Sequence, residues 1–219
     1  MTSPQGLTVL SAPDYSKPWL ISGSGRSGTT ALALVIQELG LPLLAGGMGN
    51  LSEHAGMHQA YLNRDLTWIR AFHDQWRAGH VVKTPILGVV AGTEPELAEA
   101  LDCNYIFALR DPIAESYYDA RQHPGANVAH LMLQRAVMAQ NAVSSAITLS
   151  VSTGVLVLSY EKLIQPRSNR ALVEYLCTLI GGQPSKIDDA LRVINPEDEA
   201  YAQRLNEAFP PRSVEHHTE

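Results

Sequence analysis

The amino-acid sequence predicts an α/β fold with three layers, in which a central, mainly parallel sheet is flanked by helices. Short apolar segments alternate along the chain with segments of helical length, and this alternation is typical of parallel sheets. A glycine-rich loop joins the first such pair. The chain has 219 residues, 45% of them hydrophobic, which is enough for one sizeable core. We therefore expect a single domain over residues 1–219, with flexible termini at 1–17 and 211–219.

Four apolar segments have the length and composition of buried strands. The second is followed by Thr84-Pro85, and the third is followed by Arg110-Asp111-Pro112. The predicted strands are Pro18–Ser22, His80–Lys83, Asn104–Leu109 and Val155–Ser159.

Helices are predicted from their apolar patterns and from residues that commonly begin or end helices. Thr93 and Glu96 form a capping-box pattern that begins one of them, and Pro112 suits the first turn of another. The predicted helices are Thr29–Leu39, one within Ala60–Arg77, Pro95–Leu101, Pro112 to about Gln122, Val128 to about Ser150, and Ser168–Ile180.

Composition and charge narrow the class of partner. The 22 acidic and 16 basic side chains give a formal net charge of −6, which argues against the broad basic surface of a nucleic-acid-binding protein. The first residues lack the basic head and apolar stretch of a secretory signal, and no segment approaches the ~18 apolar residues of a membrane span, so we expect a cytoplasmic protein. Cys103 and Cys177 lie in apolar segments and are expected to be reduced core residues.

The segment Ser22–Thr30 has the spacing of a phosphate-binding loop. Gly23 and Gly28 are separated by four residues, as in the P-loop pattern, where a lysine follows the second glycine. Here Thr29 takes the place of that lysine, and the basic residue of the loop is Arg26. Such a loop turns its backbone N–H groups inward at a helix N-terminus, which suits an anion even without the lysine. The alternative is a glycine turn that only joins strand to helix, but the coinciding features favour a site for a phosphorylated nucleotide.

Residues 25–30 resemble the 5′-phosphosulfate loop of sulfotransferases that use 3′-phosphoadenylyl sulfate. The family's usual form is proline, lysine or arginine, serine, glycine, threonine, and threonine or serine, and Gly25 stands here in place of the proline. The resemblance implies the P-loop fold of that family. The donor-binding loop residues that it implies are Ser24, Gly25, Arg26, Ser27, Gly28, Thr29 and Thr30.

A second segment, NYIFALRDPIAESYY at 104–118, resembles the motif with which this family binds the 3′-phosphate of the donor. In that motif an arginine ends a strand and a serine in the following helix completes the site, which implies these roles for Arg110 and Ser116. Ser116 lies two residues nearer the arginine than is usual, and two residues correspond to about 200° of helix rotation.

Three further segments are similar to the same family. NLSEHAGMHQAYLN (50–63) resembles the region from which an acidic residue enters the acceptor site, VVKTP (81–85) resembles the second strand, and VLVLSYEKLIQP (155–166) resembles a late strand followed by Tyr-Glu. The Arg/Lys-Gly-rich C-terminal loop of many members has no counterpart here. We interpret Tyr160 and Glu161 as residues that pin a loop to the sheet.

The resemblance implies transfer of a sulfuryl group from 3′-phosphoadenylyl sulfate, with 3′,5′-adenosine bisphosphate as product, to a hydroxyl or amine of a small-molecule, lipid or carbohydrate acceptor. The reaction needs a cation near the bridging oxygen, for which Arg26 and Lys83 are the candidates. It also needs a base near the acceptor, for which Glu53 and His54 are the candidates. The position that often holds a catalytic histidine in the family is Pro85 here.

Two other functions remain open from the sequence. One is an ATP- and magnesium-dependent kinase, against which the missing lysine counts. The other is a non-catalytic protein that retains nucleotide binding. We expect no metal site, because His54 and His58 are four residues apart but have no third ligand at a recognised spacing. Asp111 is interpreted as the cap of the helix that starts at Pro112.

Overall fold

The computed structural model describes residues 4–24, 27–44, 53–116, 125, 127–166 and 169–194. Its centre is a sheet of five strands: β1 (Leu7–Ser11), β2 (Trp19–Gly23), β3 (Val81–Lys83), β4 (Asn104–Leu109) and β5 (Val155–Ser159). Their order in the sheet is β1-β5-β4-β2-β3. The contacts β2–β3, β2–β4 and β4–β5 are parallel, and β1 pairs antiparallel with β5.

Helices cover both faces of this sheet, which confirms the predicted three layers. The helices are α1 (Thr29–Glu38), α2 (Ala55–Leu62), α3 (Leu66–Phe72), α4 (Pro85–Ala91), α5 (Pro95–Leu101), α6 (Val128–Leu149), α7 (Tyr160–Leu163), α8 (Asn169–Ile180) and α9 (Ile187–Arg192). Residues 112–116 are also helical. Alternate residues of β2 belong to different apolar clusters: Ile21 lies in the cluster with α1, α8 and α9, whereas Leu20 lies in the cluster with α2 to α6.

The four predicted strands are confirmed to within a residue at each end, but β1 lies within the terminus that was expected to be flexible. That expectation is wrong for Leu7–Ser11. Only Leu7 of this strand is fully buried, so its apolar signal is weak. Its hydrogen bonds are to β5, about 150 residues further along the chain, and such distant pairing leaves no local pattern. Residues 211–219 lie outside the described residues.

The helix expected within Ala60–Arg77 is confirmed as α3, which starts after Asp65, whose carboxylate accepts a hydrogen bond from the Trp68 backbone N–H. Helix α2 was not predicted; it ends before Arg64, which adopts a positive φ of 54°. Helix α4 was not predicted, because Thr84-Pro85 marks the end of β3 and also the first turn of a helix. The bounds of α5 are confirmed, but the capping box is wrong: Glu94 is its N-cap, and the Thr93 hydroxyl donates to the Val90 carbonyl instead.

Helices α1 and α6 agree with their predicted bounds to within a residue, and α8 ends at the predicted Ile180, whereas no bounds were predicted for α7 and α9. Of the helix predicted from Pro112 to about Gln122, residues 112–116 are helical and the rest lie outside the described residues. Cys103 and Cys177 are buried, unpaired core residues, as predicted. No helix of the described residues is both long and apolar enough to cross a bilayer. The parallel strands β2, β3 and β4 end at Gly23, Lys83 and Leu109, and so deliver the following residues to one edge of the sheet. Open α/β sheets bind their ligands at that edge.

Candidate functional site

The loop between β2 and α1 has the backbone of an anion site. Gly28 is the N-cap of α1 with a φ of 87°, and a Cβ added there would overlap the ring of Tyr160, so only glycine fits this turn. The Ser27 N–H donates to the Ser24 carbonyl at 3.1 Å, which tightens the loop just before the helix. The first turn of α1 carries no acidic residue. Its free backbone N–H groups therefore favour a negatively charged ligand.

Two buried hydroxyls at this edge of the sheet have no hydrogen-bond partner among the residues that the structure describes. They are Ser27 Oγ in the loop and Thr84 Oγ1 directly after β3. An unsatisfied buried hydroxyl is costly, typically about 1–3 kcal/mol, unless a ligand or water completes it. Both hydroxyls are able to donate to the oxygens of a phosphate or sulfate. Gly25 and Arg26, which were predicted to bind the donor, lie outside the described residues.

Lys83 connects the glycine loop, through Thr30, with the segment that leads into α2, through Glu53. Its ammonium donates to Thr30 Oγ1 at 2.8 Å and lies 3.5 Å from Glu53 Oε1. The side chain is only 1% exposed. Burial lowers the pKa of Lys83 from its usual value, and the neighbouring Glu53 carboxylate opposes that shift. The structure thus brings together three residues from separate parts of the chain that the sequence assigned to donor binding, to the cation and to the base.

His54, the other candidate base, is held by its own helix. Its backbone N–H donates to the Lys83 carbonyl at 3.1 Å, and its Nδ1 accepts from the Met57 N–H at 3.1 Å as the N-cap of α2. This bond assigns the hydrogen of the neutral ring to Nε2. The ring packs edge-on against Phe72, and burial lowers the pKa of His54. In this tautomer neither ring nitrogen has a free lone pair, which favours Glu53 as the base.

Arg110 lies where β4 ends, and its guanidinium carbon is 4.8 Å from the centre of the Tyr160 ring. The same ring closes over Gly28 of the loop. Glu161 Oε1 accepts from the Asp111 N–H at 2.9 Å, which confirms that Tyr160 and Glu161 pin a loop to the sheet. The Asp111 carboxylate accepts from the N–H groups of Ile113 and Ala114, and this confirms it as a helix cap.

Ser116 is fully buried, and its hydroxyl donates to the Pro112 carbonyl at 2.6 Å. The donor hydrogen that a phosphate would need is therefore used within the helix, and the role in binding the 3′-phosphate stays a prediction. The neighbouring Glu115 was not identified from the sequence. This buried carboxylate accepts from the Ser24 hydroxyl at 3.0 Å and so fixes the start of the glycine loop. The sequence feature that could have identified Glu115 is an acidic residue in the helix that begins at this edge of the sheet.

Two clusters result, and both touch the glycine loop: Lys83 with Glu53 reaches Thr30, and Arg110 with Tyr160 reaches Gly28. In the described part of the chain, no group of three or more His, Cys, Asp or Glu side chains is placed to hold a metal ion. The donor groups present are an ammonium, a guanidinium, hydroxyls and backbone N–H groups. That set suits an anionic ligand.

Comparison with solved structures identifies the fold. The sulfotransferase domain of the olefin synthase of Synechococcus PCC 7002 has a TM-score of 0.54 with 19% sequence identity, over 88% of this chain and 81% of that chain. Retinol dehydratase, solved in complex with androsterone and inactive cofactor PAP, has a TM-score of 0.46 with 14% identity, over 81% of this chain and 64% of that chain. No family model and no curated protein matches the sequence. The chain therefore has a sulfotransferase-type P-loop fold, which confirms the predicted fold class.

Proposed function

We propose that this protein is a sulfotransferase that moves a sulfuryl group from 3′-phosphoadenylyl sulfate to a hydroxyl or amine of a small-molecule, lipid or carbohydrate acceptor. The observation that carries the proposal is the position of Lys83. Its buried ammonium is hydrogen-bonded to Thr30 of the glycine loop and faces the Glu53 carboxylate at 3.5 Å. A cation beside the anion loop and a base beside that cation are the two groups that sulfuryl transfer requires.

The residues of the loop fit the phosphosulfate of such a donor. Ser27 Oγ and Thr84 Oγ1 are buried hydroxyls without a partner in the described part of the chain, and the first turn of α1 offers N–H groups without an acidic residue beside them. The bound donor supplies a sulfur atom joined to its 5′-phosphate through one bridging oxygen. Negative charge grows on that oxygen as its bond to sulfur breaks, and Lys83 is the described cation best placed to stabilise it. Arg26 would share this role from the loop.

Glu53 is proposed to take the proton of the acceptor. The new bond joins the acceptor oxygen or nitrogen to sulfur, the old bond between sulfur and the bridging oxygen breaks, and the bisphosphate leaves with that electron pair. The proton lost by the acceptor passes to the carboxylate. Glu53 is about a quarter exposed, so it remains open to a ligand, whereas His54 has its Nδ1 occupied by the Met57 N–H.

Arg110 is proposed to bind the 3′-phosphate of the donor. It follows β4 at the same edge of the sheet and stacks on the ring that closes over the loop. A guanidinium forms paired hydrogen bonds with phosphate oxygens, which suits a terminal phosphate monoester.

A kinase is less consistent with these residues. Phosphoryl transfer from ATP needs a magnesium ligand near the loop, and the carboxylate of Asp111, which follows β4 at this edge of the sheet, is occupied as a helix cap. A sulfuryl group carries less negative charge than a γ-phosphate, so a loop that relies on one lysine from a neighbouring strand is adequate for it.

The test is calorimetric titration of the full chain with 3′,5′-adenosine bisphosphate and with ATP, each with and without magnesium. We expect the bisphosphate to bind without metal and more tightly than ATP. Magnesium-dependent preference for ATP would support a kinase, and absence of binding by either nucleotide would refute both enzymes. Lys186→Met, which changes an exposed lysine far along the chain, serves as the control for Lys83→Met in the same titration.

A further inference from the structure

The outer face of α6 (Val128–Leu149) carries exposed apolar side chains that no described residue covers. The protein has twelve exposed large hydrophobic residues among those described, and six of them lie on this helix or just after it. Isolated exposed apolar residues are ordinary, but a concentration on one element marks an interaction surface. The six are Leu133, Val137, Met138, Val143, Ile147 and Val151.

Four of these side chains form one stripe that points away from the body of the protein. At about 100° per residue, Leu133, Val137, Val143 and Ile147 fall within an arc of about 120°. The centre of that arc is about 170° from the centre of the buried side, so the described part of the domain lies on the opposite side of the helix. The buried side consists of Ala142, Ser145, Ala146 and Leu149. We call the four apolar residues, together with Gln140 at their centre, the outer stripe.

The outer stripe is symmetrical about Gln140. Leu133 and Ile147 lie seven residues to either side of it, and Val137 and Val143 lie three to either side. A second copy of the helix, running antiparallel and centred on the same residue, would place each aliphatic residue against one of similar size. A two-fold contact requires this kind of self-complementary surface.

We propose that the protein forms a two-fold dimer through the outer stripe, with the two α6 helices antiparallel. Leu133 would pack against Ile147 of the partner subunit, and Val137 against Val143 of the partner subunit. Gln140 would meet Gln140 of the partner subunit on the axis, where one amide donates and the other accepts. Antiparallel helices also place opposite ends of their macrodipoles together.

Area and charge both permit this contact. The exposed parts of the aliphatic side chains on the outer stripe, with the adjacent Val151, amount to roughly 500 Å² per copy and about 1,000 Å² for the pair, which is the lower end of specific interfaces. The outer stripe carries no charged residue, and the helix has only Arg135 and His130 as basic groups. No like charges would therefore meet at its centre. Because the area is small, we expect a reversible dimer rather than an obligate one.

The first measurement is sedimentation equilibrium of the full chain over a range of concentrations. We expect a monomer–dimer equilibrium for the wild type. Gln140→Lys places two ammonium groups on the axis, so it is expected to weaken dimerisation at least tenfold. Gln134→Lys is the matched control, because Gln134 is an exposed glutamine of the same helix about 120° from the centre of the outer stripe. It should leave the dimer unchanged, and both variants should keep the wild-type circular dichroism.

Cross-linking fixes the register. The native Cys103 and Cys177 are buried, so an introduced surface cysteine reacts alone. Under mild oxidation Gln140→Cys should give a covalent dimer, whereas Gln134→Cys should not. Leu133→Cys alone should also fail, because the two copies of residue 133 would lie about 21 Å apart along an antiparallel pair. The double variant Leu133→Cys with Ile147→Cys should cross-link.

Several results would overturn the proposal. A wild type that stays monomeric at high concentration excludes the dimer, and if removal of residues 195–219 then produces one, that segment covers the outer stripe instead. A dimer that Gln140→Lys leaves intact forms through another surface. Efficient cross-linking of Leu133→Cys alone would show parallel helices, against the arrangement proposed here.

Discussion

At the end of β3 a buried ammonium is held by a hydroxyl and a carboxylate, whereas at the end of β4 a partly exposed guanidinium lies over an aromatic ring. The Lys83 side chain is 1% exposed, and its ammonium lies 2.8 Å from Thr30 Oγ1 and 3.5 Å from Glu53 Oε1. Arg110 is only partly buried and rests on Tyr160 at 4.8 Å. Both cations therefore lie near the same loop, Lys83 in contact with Thr30 and Arg110 through Tyr160. They differ in their surroundings, because Lys83 is buried and Arg110 is partly exposed to water.

This difference separates two tasks. A charge in a buried site acts strongly on charge that develops beside it, so Lys83 is suited to stabilising a transition state. A guanidinium near the surface retains water and costs less to orient, so Arg110 is suited to holding an anion in the ground state. We call Lys83 with Thr30 and Glu53 the Lys83 end of the site, and Arg110 with Tyr160 the Arg110 end. The proposed function therefore predicts that variants at the Lys83 end change mainly turnover, and that variants at the Arg110 end change mainly the affinity for the donor nucleotide.

Lys83→Met should have the largest effect, because it removes the charge while nearly keeping the length of the side chain. We expect kcat to fall by about 100- to 1,000-fold, the usual loss for one preorganised electrostatic group, with a smaller change in donor KM. Steady-state kinetics with an identified acceptor measure both. Lys186→Met should behave as the wild type. A folded Lys83→Met variant with unchanged kcat would remove this lysine from the mechanism.

The pH dependence of turnover and of stability distinguishes loss of the Lys83 charge from unfolding of the protein. Burial lowers the pKa of Lys83, so its ammonium should deprotonate at a lower pH than a free lysine does, and turnover should fall there on the alkaline side. In the same window the unfolded chain holds more protons at this residue than the folded chain, so the Lys83 contribution to the free energy of unfolding rises with pH. Activity should therefore decline where the Lys83 contribution to stability grows. A pH–rate profile beside thermal melts between about pH 6 and pH 10 tests this, and activity that falls only together with Tm would contradict it.

Glu53→Gln is expected to lower turnover by about 100-fold while leaving bisphosphate affinity nearly unchanged, because a base acts on the acceptor. The substitution also removes the carboxylate that opposes the lowered pKa of Lys83. The alkaline decline of the residual activity should therefore move to lower pH. Glu96→Gln, an exposed position on α5, is the control. Turnover within a few-fold of the wild type would assign the base elsewhere, and His54→Gln would be tested next.

The sequence predicted the Lys83 end more fully than the Arg110 end. The glycine loop and the strand that carries Lys83 are local patterns, and the parallel sheet brings their ends together by topology alone. The bond between Ser24 and Glu115 joins residues 91 positions apart, and no local pattern reports it. The contact between the Tyr160 ring and Gly28, which leaves no room for a Cβ atom at residue 28, also joins residues that are distant in the sequence.

The same contrast holds for the fold. Strands β2, β4 and β5 are nearly continuous apolar segments and were predicted almost to the residue, because they are covered on both faces. Strand β1 lies at an edge and alternates between more buried and exposed residues, so it lacks the continuous apolar pattern by which the other strands were predicted. Helix α4 was hidden because the proline that ends a strand is also a preferred first residue of a helix.

Arg110→Ala should weaken binding of 3′,5′-adenosine bisphosphate by about 1.5–3 kcal/mol, the usual range for a hydrogen bond to a charged group. Adenosine 5′-phosphosulfate lacks the 3′-phosphate and should lose far less. Calorimetry with both ligands measures the difference, and Arg70→Ala, an exposed arginine of α3, is the control. Equal losses for the two ligands would mean that Arg110 does not recognise the 3′-phosphate.

Tyr160→Leu should have the smallest effect, and it tests whether the Tyr160 ring acts by orienting the Arg110 guanidinium. The ring holds the Arg110 guanidinium by a cation–π contact, which at a partly exposed site contributes about 0.5–1 kcal/mol, so the bisphosphate Kd should rise about two- to fivefold. Tyr160→Phe keeps the ring and should bind as the wild type does. In the double variant with Arg110→Ala, the leucine should add almost no further loss, because the ring would then have no guanidinium to orient. If the two losses add in full, Tyr160 acts instead through the Gly28 turn that its ring covers, and both ends of the site would then depend on the shape of the loop itself.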